Sequence, residues 1–408
     1  MTPRSPQDET YVAQLREKLP AVHRLIYMNA GTNGPLPAFT AQTVGGMFRQ
    51  QSDEGFYPGH PFSKTPGPAP AQEARAALAA ALGAPPETVA LTTFTTAGIN
   101  IALHGVDWQP GDEVITTTLE HPGLLTPLSI LARRRGIIVR FADVGRGDPQ
   151  QVFQAVTNLF NRRTRMIALS HVFWSTGAVA PIQELAHWAR ERDVLTVIDG
   201  AQAAGAIPLD LAGTAVDFYA VPGQKWLLGP DGTGGLYVAP QALERIAPTF
   251  GSYFTAQVQA ARAAYFVPHE GARRLDSGGF SPALLAGLAA SCRWVAETIG
   301  LPWIQARIAH LVRAAHAALA GVDGITILTP TPAGGPVSGI VTFAVEGRKD
   351  KEVTAQLGRH DIYVRSIPFA PYGVRLSLGF YNTEEEIRRV AEVLKTPAGN
   401  DPGNPEIN

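Results

Sequence analysis

Short runs of β-branched and aliphatic residues alternate with helical stretches from about residue 25 to residue 270. The runs predict strands at 88–92, 113–117, 137–141, 166–170, 194–198, 218–221 and 235–238. Between several of them the apolar spacing is helical. The segment from Gln72 to Leu82 is Ala-rich and stops at Gly83, with Pro85 beyond it. The segments 150–159 and 182–192 are amphipathic. This alternation predicts an α/β fold: a mostly parallel sheet covered by helices on both faces. The last two strands are too closely connected for a crossover, so at least one is expected to run antiparallel.

A long helical region follows, at 281–299 and 302–319, and then a smaller α/β unit. That unit reads as a strand at 340–345, a helix at 351–358, strands at 362–365 and 374–378, and a last helix. Thr383 and Glu386 open the last helix as a capping box, and Ile387, Val390, Val393 and Leu394 share one of its faces. The domains expected are an N-terminal arm (1–24), a large domain (25–270), interdomain helices with a small C-terminal domain (271–396), and a disordered tail (397–408) rich in Pro, Gly and Asn. A Pro/Gly-rich stretch from Phe56 to Pro70 reads as a long loop.

Composition narrows the function classes. The 408 residues carry a net charge of -1, which points to neither nucleic acid nor an anionic membrane as partner. The single cysteine, Cys292, permits no internal disulfide and favours a reducing compartment. Charges are mixed through residues 1–18 with no apolar signal core, and no apolar run reaches the roughly 18 residues of a membrane span. A cytoplasmic protein is the expectation. No HExxH or CxxC metal pattern occurs.

The candidate chemistry lies where strands end, the place where open α/β sheets bind ligands. Asp199 closes one strand, and Lys225 follows the next in Val221-Pro222-Gly223-Gln224-Lys225-Trp226. A carboxylate facing a lysine is what pyridoxal phosphate (PLP) requires: the amine forms a Schiff base with its aldehyde and the acid keeps the pyridine nitrogen protonated. Three other strand ends add to the pair. Thr92-Thr93-Phe94-Thr95-Thr96-Ala97-Gly98 leads into a helix, whose N-terminus suits a phosphate. Glu120-His121-Pro122 offers a ring to stack on a flat ligand, and Ser170-His171-Val172-Phe173-Trp174-Ser175 offers polar groups. A dehydrogenase would need GxGxxG directly after an early strand; the glycines from Gly229 to Gly235 follow Lys225 and precede a strand, so that context fails.

Two segments carry a resemblance. One is Asp199-Gly200-Ala201-Gln202 together with Gln224-Lys225-Trp226-Leu227-Leu228-Gly229-Pro230-Asp231-Gly232-Thr233-Gly234-Gly235; the other runs from Arg375-Leu376-Ser377 through Tyr381-Asn382-Thr383-Glu384-Glu385. The chain from about Tyr27 to Leu394 resembles the class V aminotransferase family of fold-type-I PLP enzymes, which includes cysteine desulfurases, C–S lyases and isopenicillin N epimerases. The resemblance implies that Lys225 forms the Schiff base and shuttles the Cα proton, Asp199 pairs with the pyridine nitrogen, and His121 stacks on the ring. It implies further that Gln202 bonds the ring oxygen, that Thr95 and Thr96, helped by Gln224, hold the phosphate, and that Arg375 clamps the substrate carboxylate. It also implies a homodimer, with the segment from Ser277 to Ser281 reaching across.

Several positions depart from the family pattern. Pro222 and Gln224 stand where Ser and His are frequent, the Trp174-Ser175 region lacks a frequent Asn, and Gly278-Gly279 replaces Gly-Thr. The loop from Arg365 to Tyr372 contains no cysteine, whereas a desulfurase needs a nucleophilic one there. The sequence reading therefore favours β-elimination at a C–S bond of cysteine, cystine or a cysteine conjugate. Transamination and epimerisation are the alternatives, and a non-catalytic PLP-binding protein is the alternative of another class.

Overall fold

The runs expected as strands are buried along almost their whole length and not on alternate residues, the mark of strands covered on both faces. The computed structural model describes residues 4–60, 62–67, 69–252, 254–260, 265–331 and 336–396. The expected disordered tail at 397–408 lies outside them.

Seven strands form one sheet: Val89–Thr92 (β1), Glu113–Thr117 (β2), Ile138–Ala142 (β3), Thr164–Ser170 (β4), Leu195–Asp199 (β5), Phe218–Pro222 (β6) and Gly234–Val238 (β7). Their order is β1-β7-β6-β5-β4-β2-β3. β7 is antiparallel to both neighbours and all other pairings are parallel, as the short connection required. β3, at the edge, is also the most exposed strand of the sheet. The helix Thr95–Gly105 lies so close on the sheet that a Cβ at Gly98 would sit 3.0 Å from that of Ala220. Gly83 closes the helix Pro70–Ala81 at φ +60°, where a Cβ would meet the Leu209 carbonyl oxygen at 2.6 Å.

The C-terminal unit is a four-stranded antiparallel sheet of Ile325–Ile327 (β8), Ile340–Val345 (β9), Arg365–Ile367 (β10) and Gly373–Ser377 (β11), in the order β8-β9-β11-β10. Val353 and Leu357 of the helix Asp350–Gly358, and Ile387 and Val390 of Glu384–Lys395, are buried. The capping box forms: Thr383 Oγ1 accepts from the Glu386 amide at 3.2 Å, and Glu386 Oε2 accepts from the Thr383 amide at 3.2 Å.

Three expectations are corrected. The single strand at 362–365 is divided: Ile362–Tyr363 pairs in parallel with Ile26–Tyr27, and the chain changes partners at Val364 before β10 joins the other sheet. The helices at 281–299 and 302–319 follow each other without a loop. Pro282–Arg293 passes through the π-helical turn Trp294–Gly300 into Leu301–Ala320, with the change of direction at Gly300 (φ +93°). This stretch, Pro282–Ala320, is also long and apolar enough by composition to cross a bilayer, with a window of mean hydropathy 1.2, and half of that window is buried inside the fold. Leu285, Leu288, Leu311 and Val312 pack into the core.

Candidate active site

One cleft opens beyond the carboxyl ends of β1, β2, β4, β5 and β6. Each strand delivers its residue at the point where regular pairing stops. β1 leads through Phe94 into Thr95 and Thr96, the first residues of their helix, whose amides have no partner in the preceding turn. β2 leads to His121, which is the N-cap of the helix Pro122–Arg135. Its Nδ1 accepts from the Gly123 amide at 2.9 Å, which leaves the proton of the neutral ring on Nε2. β5 ends at Asp199 itself, and Lys225 follows β6 by three residues.

The cleft brings together every residue the sequence singled out for the site. Thr95, Thr96, His121 and Asp199 line it, and so do Gln202, Gln224, Lys225 and Arg375. His171 is the exception among the strand-end groups. Its ring turns away, with Nδ1 2.8 Å from the Tyr219 hydroxyl, and lines a separate cavity.

Arg375, on β11, is 1 % exposed, so it is no surface arginine. Its Nη1 donates to the Trp174 carbonyl at 3.0 Å and its Nη2 to Thr32 Oγ1 at 3.1 Å. Sequence reading gave no role to Arg365, yet it stands directly across the ladder from Arg375 and donates to the same Thr32 hydroxyl at 3.3 Å. The register of two neighbouring strands pairs them, and no local motif could have shown that. Gly31 and Thr32, in the polar turn after Ile26–Tyr27, also escaped notice. A Cβ at Gly31 would come within 2.8 Å of Ser377 Oγ and 2.9 Å of Gln202 Oε1. Gln202 is committed to the protein on two sides. Its Nε2 donates to the Gly31 carbonyl at 2.8 Å and its Oε1 accepts from Trp226 Nε1 at 3.0 Å, which leaves one amide hydrogen for a ligand.

The cleft is rich in positive charge. Burial pushes the Lys225 amine down to about 8; Asp199 opposes that shift while Arg375 and Arg365 reinforce it. Burial and the neighbouring Arg365 push Arg375 down to about 9. Burial raises the Asp199 carboxyl, against Lys225 and the Ala201 amide, which donates to it at 2.9 Å. Glu120, buried beside His121, is pushed up to about 8 by desolvation. Burial, followed by the charge of Lys225, lowers His121 to about 4, so its ring is neutral. Among the described residues lining the cleft, three cations thus face a single acid, Asp199. Two like charges directly opposite on a ladder are destabilising unless an anion sits between them.

These residues fit PLP and an amino acid. Arg375 Nε, a donor, is buried without a protein partner. The helix N-terminus at Thr95 and Thr96 suits a phosphate, the neutral His121 ring suits a flat heterocycle, and the cation excess suits two anionic groups. Pro222 offers no donor, so phosphate contacts on that side fall to Gln224.

Comparison with known proteins agrees with the geometry. The family model described as "Aminotransferase class-V" matches residues 68–390. An isopenicillin N epimerase of Streptomyces clavuligerus is 31% identical over 92% of this chain and 95% of its own length. A probable cysteine desulfurase of Pseudomonas aeruginosa is 33% identical over 74% of this chain and 76% of its own. Among solved structures, the cystine C–S lyase C-DES bound to its product cysteine persulfide aligns with a TM-score of 0.84 and 29% identity, covering 92% of this chain and 99% of that one. A lysine-to-alanine mutant of C-DES with glycine covalently linked to its PLP cofactor aligns with a TM-score of 0.85 and 28% identity, covering 94% and 99%.

Proposed function

The chain belongs to the class V aminotransferase family and is a PLP enzyme, and from that premise we propose that its reaction is β-elimination at a C–S bond of an S-substituted cysteine, releasing a thiol, pyruvate and ammonia. One observation carries the choice. The loop between β10 and β11, beside Arg365 and Arg375, contains no thiol, and Cys292, the one cysteine, is fully buried in a helix with its thiol pushed up to about 12. A desulfurase needs a reactive thiolate to take the sulfur; an eliminating enzyme expels sulfur from Cβ without one.

When bound, the coenzyme supplies an electron sink that stabilises negative charge at the substrate Cα. The protein supplies the rest. Asp199 holds the proton on the pyridine nitrogen. Lys225, whose amine burial pushes down to about 8, would take the Cα proton and pass it on. Arg375 and Arg365 fix the carboxylate, which leaves the Cα–H bond facing Lys225. His121, neutral and held by its own cap bond, would stack on the coenzyme ring without adding charge.

The test is direct. The coenzyme-loaded protein is incubated with L-cysteine, L-cystine and S-substituted cysteines, and pyruvate is assayed. Pyruvate formed without an added keto acid supports the reading. Keto acid formed only in the presence of an acceptor moves the enzyme to transamination. The near full-length similarity to an epimerase favours a second reading, which chiral chromatography of an unreacted amino acid would reveal as inversion at Cα.

A homodimer and a cytoplasmic, reducing location belong to the same proposal. Phe250, Tyr265 and Phe266 lie exposed on and next to the hairpin of Ala256–Ala260 and Tyr265–Pro268, a surface that a second copy would cover. Sedimentation showing an active monomer would refute the dimer.

A further inference from the structure

We propose that the cleft selects amino acids with a large apolar, above all aromatic, side chain, such as an S-aryl or S-benzyl cysteine, and that Trp174 in the cleft and Phe369, packed against it just outside the cleft lining, form the selecting wall. The inference rests on Arg375 taking the substrate carboxylate, as proposed above, but not on the bond that is then broken.

Trp174 lines the cleft and is only 6% exposed. Its carbonyl accepts from Arg375 Nη1 at 3.0 Å, so its backbone is tied to the guanidinium. The indole edge meets His121 at a ring separation of 5.0 Å and an angle of 90°, and Phe369 at 6.1 Å and 69°. An aromatic surface therefore runs outward from the ring-binding floor, past the carboxylate site, to solvent. Phe369 ends that surface 54% exposed, on the loop joining the strands that carry the two arginines. With the substrate carboxylate on Arg375, its amine directed into the coenzyme site and its Cα–H bond facing Lys225, the side chain is the one substituent left to lie along this wall. A thiol-sized side chain would leave the Phe369 ring in water, whereas a phenyl group would bury against both rings. Edge and offset contacts between aromatic rings add to binding beyond the area they cover. The two rings themselves carry no charge, and the cations beside them, Arg375 and Arg365, are taken by the carboxylate, so a polar side chain gains no partner from the rings.

The experiment measures binding to the coenzyme-loaded protein by isothermal titration calorimetry, with L-phenylalanine and L-alanine as probes, neither of which carries a leaving group at Cβ. L-Phenylalanine is expected to bind at least roughly tenfold more tightly, given the apolar area a phenyl ring buries. Trp174→Ala should remove most of that preference and Trp174→Phe should keep it. Phe369→Ala, which alters a half-exposed ring with little consequence for folding, should weaken L-phenylalanine about threefold and leave L-alanine unchanged. With S-benzyl-L-cysteine as substrate, Phe369→Ala should raise KM and spare kcat. Equal binding of the two probes, binding of neither, or equal losses for both in Phe369→Ala would overturn the proposal. Loss of pyruvate formation with the L-phenylalanine preference intact would instead condemn the elimination reading alone.

Discussion

In the proposed reaction Lys225 is the group on which the chemistry turns, and its surroundings set when it can act. The free amine is the nucleophile toward an aldehyde, and only the unprotonated fraction reacts. Burial holds its pKa near 8, with Asp199 raising it and Arg375 and Arg365 lowering it. Below that value the free fraction falls about tenfold per pH unit; above it the fraction saturates. Covalent attachment of PLP to the coenzyme-free protein should therefore speed up as the pH rises toward 8 and then level off, as followed by absorbance. Asp199→Asn removes the partner that raises the pKa, so the step should move to lower pH; a step that stays in place would argue against the pairing. Lys225→Ala should leave nothing for borohydride to fix and cut turnover by several orders of magnitude. Arg375→Ala and Arg365→Ala should each raise KM for the amino acid roughly 10- to 100-fold, the value of a charged hydrogen-bonded contact. An unchanged KM in Arg365→Ala would show that only Arg375 meets the carboxylate.

His121 shows how an element places a side chain. The residue caps the helix Pro122–Arg135 through Nδ1 and at the same time presents its ring to the cleft. The two roles separate by mutation. Asparagine is a good N-cap but has no aromatic face, so His121→Asn should keep the melting temperature and lose activity. His121→Ala should lose activity and also about 1 kcal/mol of stability. A large loss of stability in both variants would mean that ring packing, not capping, holds the helix. Elements of this kind were legible in the sequence because their signals are local. Strand runs, the stop at Gly83, the Thr383–Glu386 capping box and the residues after each strand were all read within a few positions of their true limits. What could not be read depends on register or on distant packing. Arg365 becomes a site residue only because β10 and β11 align it with Arg375. The division of the 362–365 run follows from its pairing with Ile26–Tyr27, more than 300 residues away in the chain. The aromatic wall likewise joins Trp174 to Phe369 across nearly 200 positions.

The N-terminal arm is tied to the C-terminal part of the molecule. Asp8 caps the helix Glu9–Arg16 by accepting from the Tyr11 amide at 3.0 Å. Arg16 then donates to the Tyr381 carbonyl at 2.7 Å, to Glu386 Oε1 at 2.8 Å and to the Val22 carbonyl at 2.8 Å. Glu386 is the same residue that closes the capping box and accepts from Asn382 Nδ2 at 2.8 Å. Arg307, fully covered in the helix Leu301–Ala320, donates to Glu9 Oε1 at 2.7 Å and to the Asn382 carbonyl at 2.8 Å. The arm thus satisfies polar groups on the turn that follows β11, the strand bearing Arg375. Arg16→Ala removes three partly buried bonds at about 1 kcal/mol each. For a chain of this length that amounts to a fall of about 3 °C in melting temperature, measurable by calorimetry on the coenzyme-loaded protein. Glu386 is left with Asn382 and Thr383 as partners, so the last helix should persist in circular dichroism. If the arm also holds the Asn382 turn in place, KM for the amino acid should rise while Lys225 still takes up PLP normally. A melting temperature unchanged by Arg16→Ala would show that apolar packing of Val12 and Leu15, both buried, suffices to dock the arm.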